Sequence, residues 1–226
     1  MGREGSPPQW LVMTTLADIL RGIEGGVFPT PDLSITVVPA PSDREACVVA
    51  FTAHIVIAAD VSPAWVADLI PDGDLSAPLN PPFLYALEQL TGRRVNAIDQ
   101  MLLAPALTDP AERAAAVEGL VELTERGHPR IERAWRYRDD VHAYTTPYGG
   151  LVLTGRGLAD RLEVALEVPV STRGKGYGRD LARAARALIP PGTHIWSQVS
   201  PGNAASTRTF LAAGYQPVGS EALLVR

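Results

Sequence analysis

Between Arg173 and Arg179 the chain reads RGKGYGR, three glycines and three basic residues within seven positions. Directly after it, Leu181, Ala184, Ala185 and Leu188 recur at helical spacing. A flexible, positively charged turn feeding straight into a helix is suited to holding phosphate. The helix N-terminus offers unpaired backbone amides and a partial positive charge. Glycines let those amides approach an anion closely, because no Cβ intervenes. Arg173, Lys175 and Arg179 add full charges around the same point. The combination is an anion nest, with a pyrophosphate as its natural guest.

Two familiar phosphate loops do not fit. A Walker loop needs Gly-Lys followed by Ser or Thr, whereas Lys175 precedes Gly176 and Tyr177. A dinucleotide fingerprint needs G-x-G-x-x-G after the first strand of a βαβ unit; Gly174, Gly176 and Gly178 are spaced G-x-G-x-G, late in the chain, with no acidic ribose partner following. What fits is R-x-x-G-x-G, from Arg173 through Gly176 to Gly178.

The elements that must position this loop are readable from pattern. A helix is expected over QWLVMTTLADILRGIEGG, with Leu11, Leu16, Ile19, Leu20 and Ile23 as its stripe. Two β-branched stretches, LSITVVPAP and ACVVAFTAHIVIAADV, read as strands, and Ser62-Pro63 opens a short helix. PDGDLSAPLNPP carries too many prolines to continue either element, and FLYALEQLTG is a helix closed by Gly92. From residue 96 the pattern predicts a strand (NAIDQMLLAPAL) and then one long helix over TDPAERAAAVEGLVELTERG, capped by Asp109 with Pro110 at its first position. A shorter helix (HPRIERAWRYR) and three strands (DVHAYTTP, GGLVLTGRG, RLEVALEVPV) come next. The loop and its helix, a strand (THIWSQVS), a helix (GNAASTRTFLAAG) and a terminal strand complete the order. The expected class is α/β (α+β): a central mixed, mostly antiparallel sheet with helices packed on it.

The pattern R-x-x-G-x-G after a strand ending LEVPV resembles the acyl-CoA loop of the GNAT superfamily of N-acetyltransferases. A second landmark agrees: NAASTRTFLAAGY supplies Asn203, Phe210, Gly214 and Tyr215 where the family has an asparagine opening the next helix, a hydrophobic or aromatic residue in its second turn and a closing Gly-aromatic pair. The resemblance covers roughly the last 130 residues, element order included. It implies acetyl-CoA as cosubstrate, no metal, and strands RLEVALEVPV and THIWSQVS splayed around the acyl-CoA. It further implies that the backbone of Val168 to Val170 pairs with the pantetheine arm. The amides of Arg173, Gly174, Lys175, Gly176, Tyr177 and Gly178 would cap the pyrophosphate, Asn203 would lie beside the pantetheine, and Phe210 would flank the thioester.

Acetyl transfer to an amine needs the amine neutral, the thioester carbonyl polarised and the departing thiolate protonated or tolerated. The family often places a tyrosine acid at the position of Phe210. Tyr215, Tyr177 or water could replace it. For the base, Glu167 and Glu163 lie four apart in the strand before the loop, on one face by simple alternation, with Glu167 nearer the splay. His142, Tyr144 and Tyr148 could line an acceptor site or pack structurally; Trp196, Gln198 and Ser200 share a face of core or cleft. RAWRYRDD lies where the family's acceptor-binding helices often lie, or is a solvated face. His54 reads as a core or edge histidine, His128 as a turn residue, and His194 as a strand start.

The bulk numbers bound the partners. A net charge of −5 on 226 residues argues against bulk nucleic-acid or anionic-membrane binding, so any basic site is local. The one cysteine, Cys47, sits in an apolar strand and reads as a core thiol. No apolar run reaches a membrane span and the N-terminus lacks a signal-peptide core, so a cytoplasmic protein is expected. Residues 96–226 form the expected acetyltransferase domain. Residues 1–95 are an accessory region: a degenerate sister domain, a lid, or a dimerisation arm for a homodimer. The expected reaction is acetyl transfer from acetyl-CoA to a primary amine on a small molecule or peptide. A non-catalytic acyl-CoA sensor or scaffold is the alternative, and transfer to a hydroxyl or of a longer acyl group a third.

Overall fold

The computed structural model describes residues 14–71, 73–125 and 127–226. The first part of the expected N-terminal helix, Leu11 included, lies outside the described residues. Helix α1 (Leu16–Glu24) opens on a capping box, in which Thr15 and Asp18 satisfy each other's amides. Three strands follow, β1 (Ile35–Val38), β2 (Glu45–Phe51) and β3 (His54–Ala58), then α2 (Pro63–Leu69) and α3 (Pro81–Thr91). Ser62 caps α2, and Gly92 ends α3 in the left-handed conformation, as their positions in sequence suggest.

Strand β4 (Arg94–Pro105) leads to α4 (Pro110–Val117), β5 (Val121–Leu123) and α5 (Pro129–Tyr137). Strands β6 (Asp139–Thr145), β7 (Leu151–Arg156) and β8 (Leu162–Glu167) are followed by α6 (Tyr177–Leu188), β9 (His194–Val199), α7 (Ala204–Ala212) and β10 (Gln216–Val225). The long helix expected over TDPAERAAAVEGLVELTERG is therefore two elements. Asp109 caps it as expected, but α4 ends at Val117, Gly119 turns the chain with φ of 76°, and Val121–Leu123 pairs with β6 as an edge strand. A three-residue Val-Glu-Leu segment continues a helical pattern equally well; only the distant partner decides.

All ten strands form one sheet in the order β1-β3-β2-β10-β4-β9-β8-β7-β6-β5. The pairs β1–β3 and β8–β9 are parallel and the others antiparallel, so the sheet is mixed and mostly antiparallel. Residues on both sides of position 95 belong to β4, and β2 hydrogen-bonds along β10, so one sheet runs through the N-terminal and C-terminal regions. Alternate residues of each strand feed opposite faces. On one face α1 packs on Cys47, Val49, Met101 and Trp196, and α5 packs on Val141, Leu151 and Leu153. The other face carries α2 and α3 over β2 and β3, and α6 and α7 over β4, β7, β8 and β9.

Candidate acyl-CoA and acceptor site

Strands β7 and β8 pair through six consecutive positions, whereas β8 and β9 share a single register pair, Glu163 with Trp196. Beyond that pair the strands part. The gap lies beside the N-terminus of α6, where Gly174 and Gly176 have φ of 77° and 89°, conformations that favour glycine. Gly178, the second residue of α6, faces α7: a Cβ there would lie 3.1 Å from Thr209 Cγ2 and 3.6 Å from Val168 Cγ2. The glycines thus serve distinct ends. The first two shape the turn, and the third keeps the groove between α6 and α7 open.

A cleft of about 600 Å³ occupies this groove, walled by Val168, Thr172, Arg173, Gly174, Gly176, Tyr177, Gly178, Arg179, Asn203 and Thr209. Its size suits a small-molecule or cofactor site. The Arg173 Nε donates to the Val168 carbonyl at 3.2 Å, drawing the guanidinium back over the strand end. Tyr177 stacks on Tyr148 with ring centroids 4.0 Å apart, which ties the β6–β7 turn to the start of α6. Strand β8 ends at Glu167, and Val170 opens a 3-10 turn with its side chain exposed. The strand expected to run to Val170 is shorter because Pro169 cannot donate to a ladder.

A second cavity, of about 290 Å³, adjoins the cleft and shares Arg130, Leu166, Asn203 and Ser206 with it. Val164, Val199 and Phe210 wall it from the α6–α7 face, while Glu45, Asp99, Glu163, Gln198 and Glu221 wall it from the α1–α5 face. A lining drawn from both faces of a sheet requires a passage through it, and the β8–β9 gap is that passage. Asn203 Oδ1 caps α7 by accepting from the Ser206 amide. Phe210 is buried edge-on to Tyr215 at 4.9 Å and faces the second cavity. Tyr215 donates its hydroxyl to the Ala182 carbonyl at 3.2 Å, and burial holds its phenol well above the ordinary range. It is not free to protonate a thiolate.

Glu163 and Glu167 do face the same way, and α5 clamps both. Arg130 in its first turn reaches Glu167 at 2.8 Å, and Arg138 just past its last turn reaches Glu163 at 2.8 Å. Glu167 is half exposed beside the cleft; the Arg130 hydrogen bond holds its carboxyl below the usual range, with His128 and Arg173 adding to the effect. Glu163 is buried. Burial alone would raise its pKa, but Arg138 and Arg161 outweigh it and hold the carboxyl below its ordinary value. Its Oε1 also accepts from Gln198 Nε2 and Arg161 Nε, each at 2.8 Å. Arg161 continues to Glu221 through two contacts of 2.8 Å and lies 5.3 Å over the Trp196 ring. Both sequence candidates are therefore carboxylates already committed to guanidinium groups, a state that weakens them as bases.

Glu45 differs from them. It is 3% exposed, lines the second cavity, and no described residue hydrogen-bonds its carboxylate. Burial, reinforced by Glu163 and Glu221, pushes its carboxyl up to about 7. Asp99 in the same cavity is also raised, by burial and by Glu221. Sequence reading missed both. The available signal was a charged residue heading an otherwise apolar strand, DREACVVAF. RAWRYRDD, by contrast, does contribute to the cavity, through Arg133, Tyr137 and Arg138.

The remaining residues are structural or peripheral. His142 is exposed and meets Glu122 at 3.2 Å, and Tyr144 packs into the α6–α7 core. His54 is buried among Thr30, Asp32, Ser34 and Thr36, and His128 caps α5. Trp196 is fully buried and donates to Glu24 at 2.7 Å. Cys47 is fully buried, and burial pushes its thiol far up. Among the described residues no helix is long and apolar enough to cross a membrane.

No family model and no curated protein matches the chain. Several solved chains are similar to it, two named as acetyltransferases among them. One is a protein assigned to the GNAT family of acetyltransferases from Novosphingobium aromaticivorans, with 20% identity, a TM-score of 0.37, and 60% of this chain and 68% of that one covered. The other is a GCN5-related N-acetyltransferase from Kribbella flavida, with 15% identity, a TM-score of 0.36, and 64% and 63% covered; this chain spans less than two thirds of its length.

Proposed function

We propose that the protein transfers an acetyl group from acetyl-CoA to a primary amine. The observation that carries this is the gap between β8 and β9, with a glycine-shaped helix N-terminus on one side and a charged cavity on the other. In this reading the pyrophosphate rests on the amides of residues 173–178, and the pantetheine runs along Val168 and Asn203. The thioester reaches the passage beside Phe210. There the amine arrives from the opposite face. Residues 96–226 carry the cofactor site, and the N-terminal region completes the acceptor side through Glu45 on β2. The partner is a small amine rather than nucleic acid or a membrane, in a cytoplasmic setting.

No tyrosine acid is needed if the thiolate leaves into the passage and takes its proton from the attacking nitrogen. The test is release of free thiol from acetyl-CoA with a panel of amines, alongside calorimetry of CoA binding. Tight CoA binding with no thiol released for any amine would favour the sensor reading and end this one. Arg173→Ala is expected to weaken CoA binding by about 1–3 kcal/mol, because a charge-assisted contact is lost while the amides remain. The loss should shrink as salt is raised, since the side chain is exposed.

A further inference from the structure

The cavity at the gap is lined by polar groups that the fold leaves unsatisfied. Arg138 Nη1, on the α1–α5 face, and Ser197 Oγ, on the α6–α7 face with Leu102, are buried with no hydrogen-bond partner, and both residues line it. Ser197 is 1% exposed. Glu45, also buried, lines the cavity from the α1–α5 face, and no described residue hydrogen-bonds its carboxylate. Buried donors and acceptors left open are costly, and a site built for a ligand is a common reason to keep them. Arg133 adds a guanidinium at the wall that makes no ion pair among the described residues; it reaches Asn96 at 3.3 Å and lies 5.4 Å over the Tyr137 ring.

The charges are of both signs. Glu45, Asp99, Glu163 and Glu221 line the roughly 290 Å³ together with Arg130, Arg133 and Arg138, with Arg138 bonded to Glu163 and Arg161 bonded behind Glu163 and Glu221. A polyamine would leave the open guanidinium donors unmet. An amine with no second polar group would do the same. An acceptor carrying both an ammonium and an anionic group would satisfy both ends.

Resting on the function proposed above, we infer that this cavity is the acceptor site for a small zwitterion of the amino-acid class. Its anionic group meets Arg138, and its ammonium gives a proton to Glu45, directly or through a water. The freed amine attacks the thioester carbon; a carbon–nitrogen bond forms and the carbon–sulfur bond breaks. The sulfur takes the second nitrogen proton, and Glu45 returns its own proton to solvent. The balance is one amide, one CoA thiol and one proton released. Glu45 is suited to this because it is not committed to a cation as Glu163 and Glu167 are. The charged groups around it are Arg44 just before its own strand, Arg161 before β8, Glu163 on β8 and Glu221 on β10.

The test pairs lysine, phenylalanine, leucine and alanine with the amine left by decarboxylating each, plus spermidine. Binding is read by calorimetry on the CoA-loaded protein, and turnover by thiol release. At least one amino acid is expected to exceed its decarboxylated partner by about tenfold or more, the worth of a charge-assisted contact. Glu45→Gln is expected to lower turnover roughly 10²-fold with CoA affinity retained, and to abolish the rise in rate through pH near 7. Removing a buried, unpartnered carboxylate should not unfold the chain. Its raised pKa means the native state holds the proton more tightly, so wild-type stability falls as pH rises from its unfolded value toward 7, and the variant should lose that slope. Equal or better binding of the decarboxylated amines or spermidine overturns the zwitterion class. Unchanged turnover and pH profile in Glu45→Gln overturns its role. If no panel member binds, the site assignment falls, while CoA calorimetry together with thiol release across the wider amine panel still decides the function proposed above.

Discussion

Gly176→Val is expected to remove measurable CoA binding, a loss of at least two orders of magnitude in affinity, while the protein stays folded. Two effects act together. Gly176 has φ of 89°, a conformation that a β-branched residue adopts only at a cost of about 1–3 kcal/mol. The turn would relax toward negative φ, swinging the amides of residues 174–178 out of convergence on one point. The branched side chain would also stand where an anion must approach the backbone. Calorimetry with CoA and a thermal melt separate the effects: a melt shifted by a few degrees beside abolished binding is the expected pair. Gly178→Val gives an independent arm, because the clash there is with Thr209 and Val168 across the groove. Wild-type CoA affinity in both variants would remove the phosphate assignment altogether.

That loop was legible in the sequence because its information is local. Glycine spacing, basic residues and the following helix all fall within sixteen positions, Arg173 to Leu188. The caps at Ser62 and Asp109 were legible for the same reason. What escaped was set by strand pairing between distant segments. Val121–Leu123 is a strand only because β6 lies beside it. Glu45 matters only because β2 pairs with β10 and thereby stands near Glu221 and Glu163. Alternation correctly placed Glu163 and Glu167 on one face, but it could not show that α5 delivers Arg130 and Arg138 onto them. A carboxylate's identity is written in the sequence; its pKa is written in its partners.

Those partners also answer how a sheet stays ordered where two strands part. With one register pair between β8 and β9, side chains do the bridging: Gln198 on β9 holds Glu163 on β8, and Arg161 joins Glu163 to Glu221 on β10. Arg161→Met is therefore expected to be the most damaging single substitution outside the hydrophobic core. It leaves Glu221, 1% exposed, without its bidentate partner, and strips one of the two guanidinium groups from Glu163. Breaking a buried pair on one side costs about 3–5 kcal/mol, a large share of the roughly 5–15 kcal/mol that stabilises a typical domain. A fall in Tm on the order of 10 °C should follow for a chain of this size. Adding Glu221→Gln should recover much of the loss, since no charge is then stranded; a double-mutant cycle by thermal or urea melts measures the coupling. Acid is a second probe. Glu163 is held below its ordinary pKa, so its contribution is present above the unfolded value and is lost as pH falls through the folded one. Arg161→Met removes part of that lowering, so the variant's melt should depend less on pH in this acidic range than the wild type's. A single substitution that leaves Tm unchanged would mean that the network neither stabilises the sheet nor sets the width of the gap.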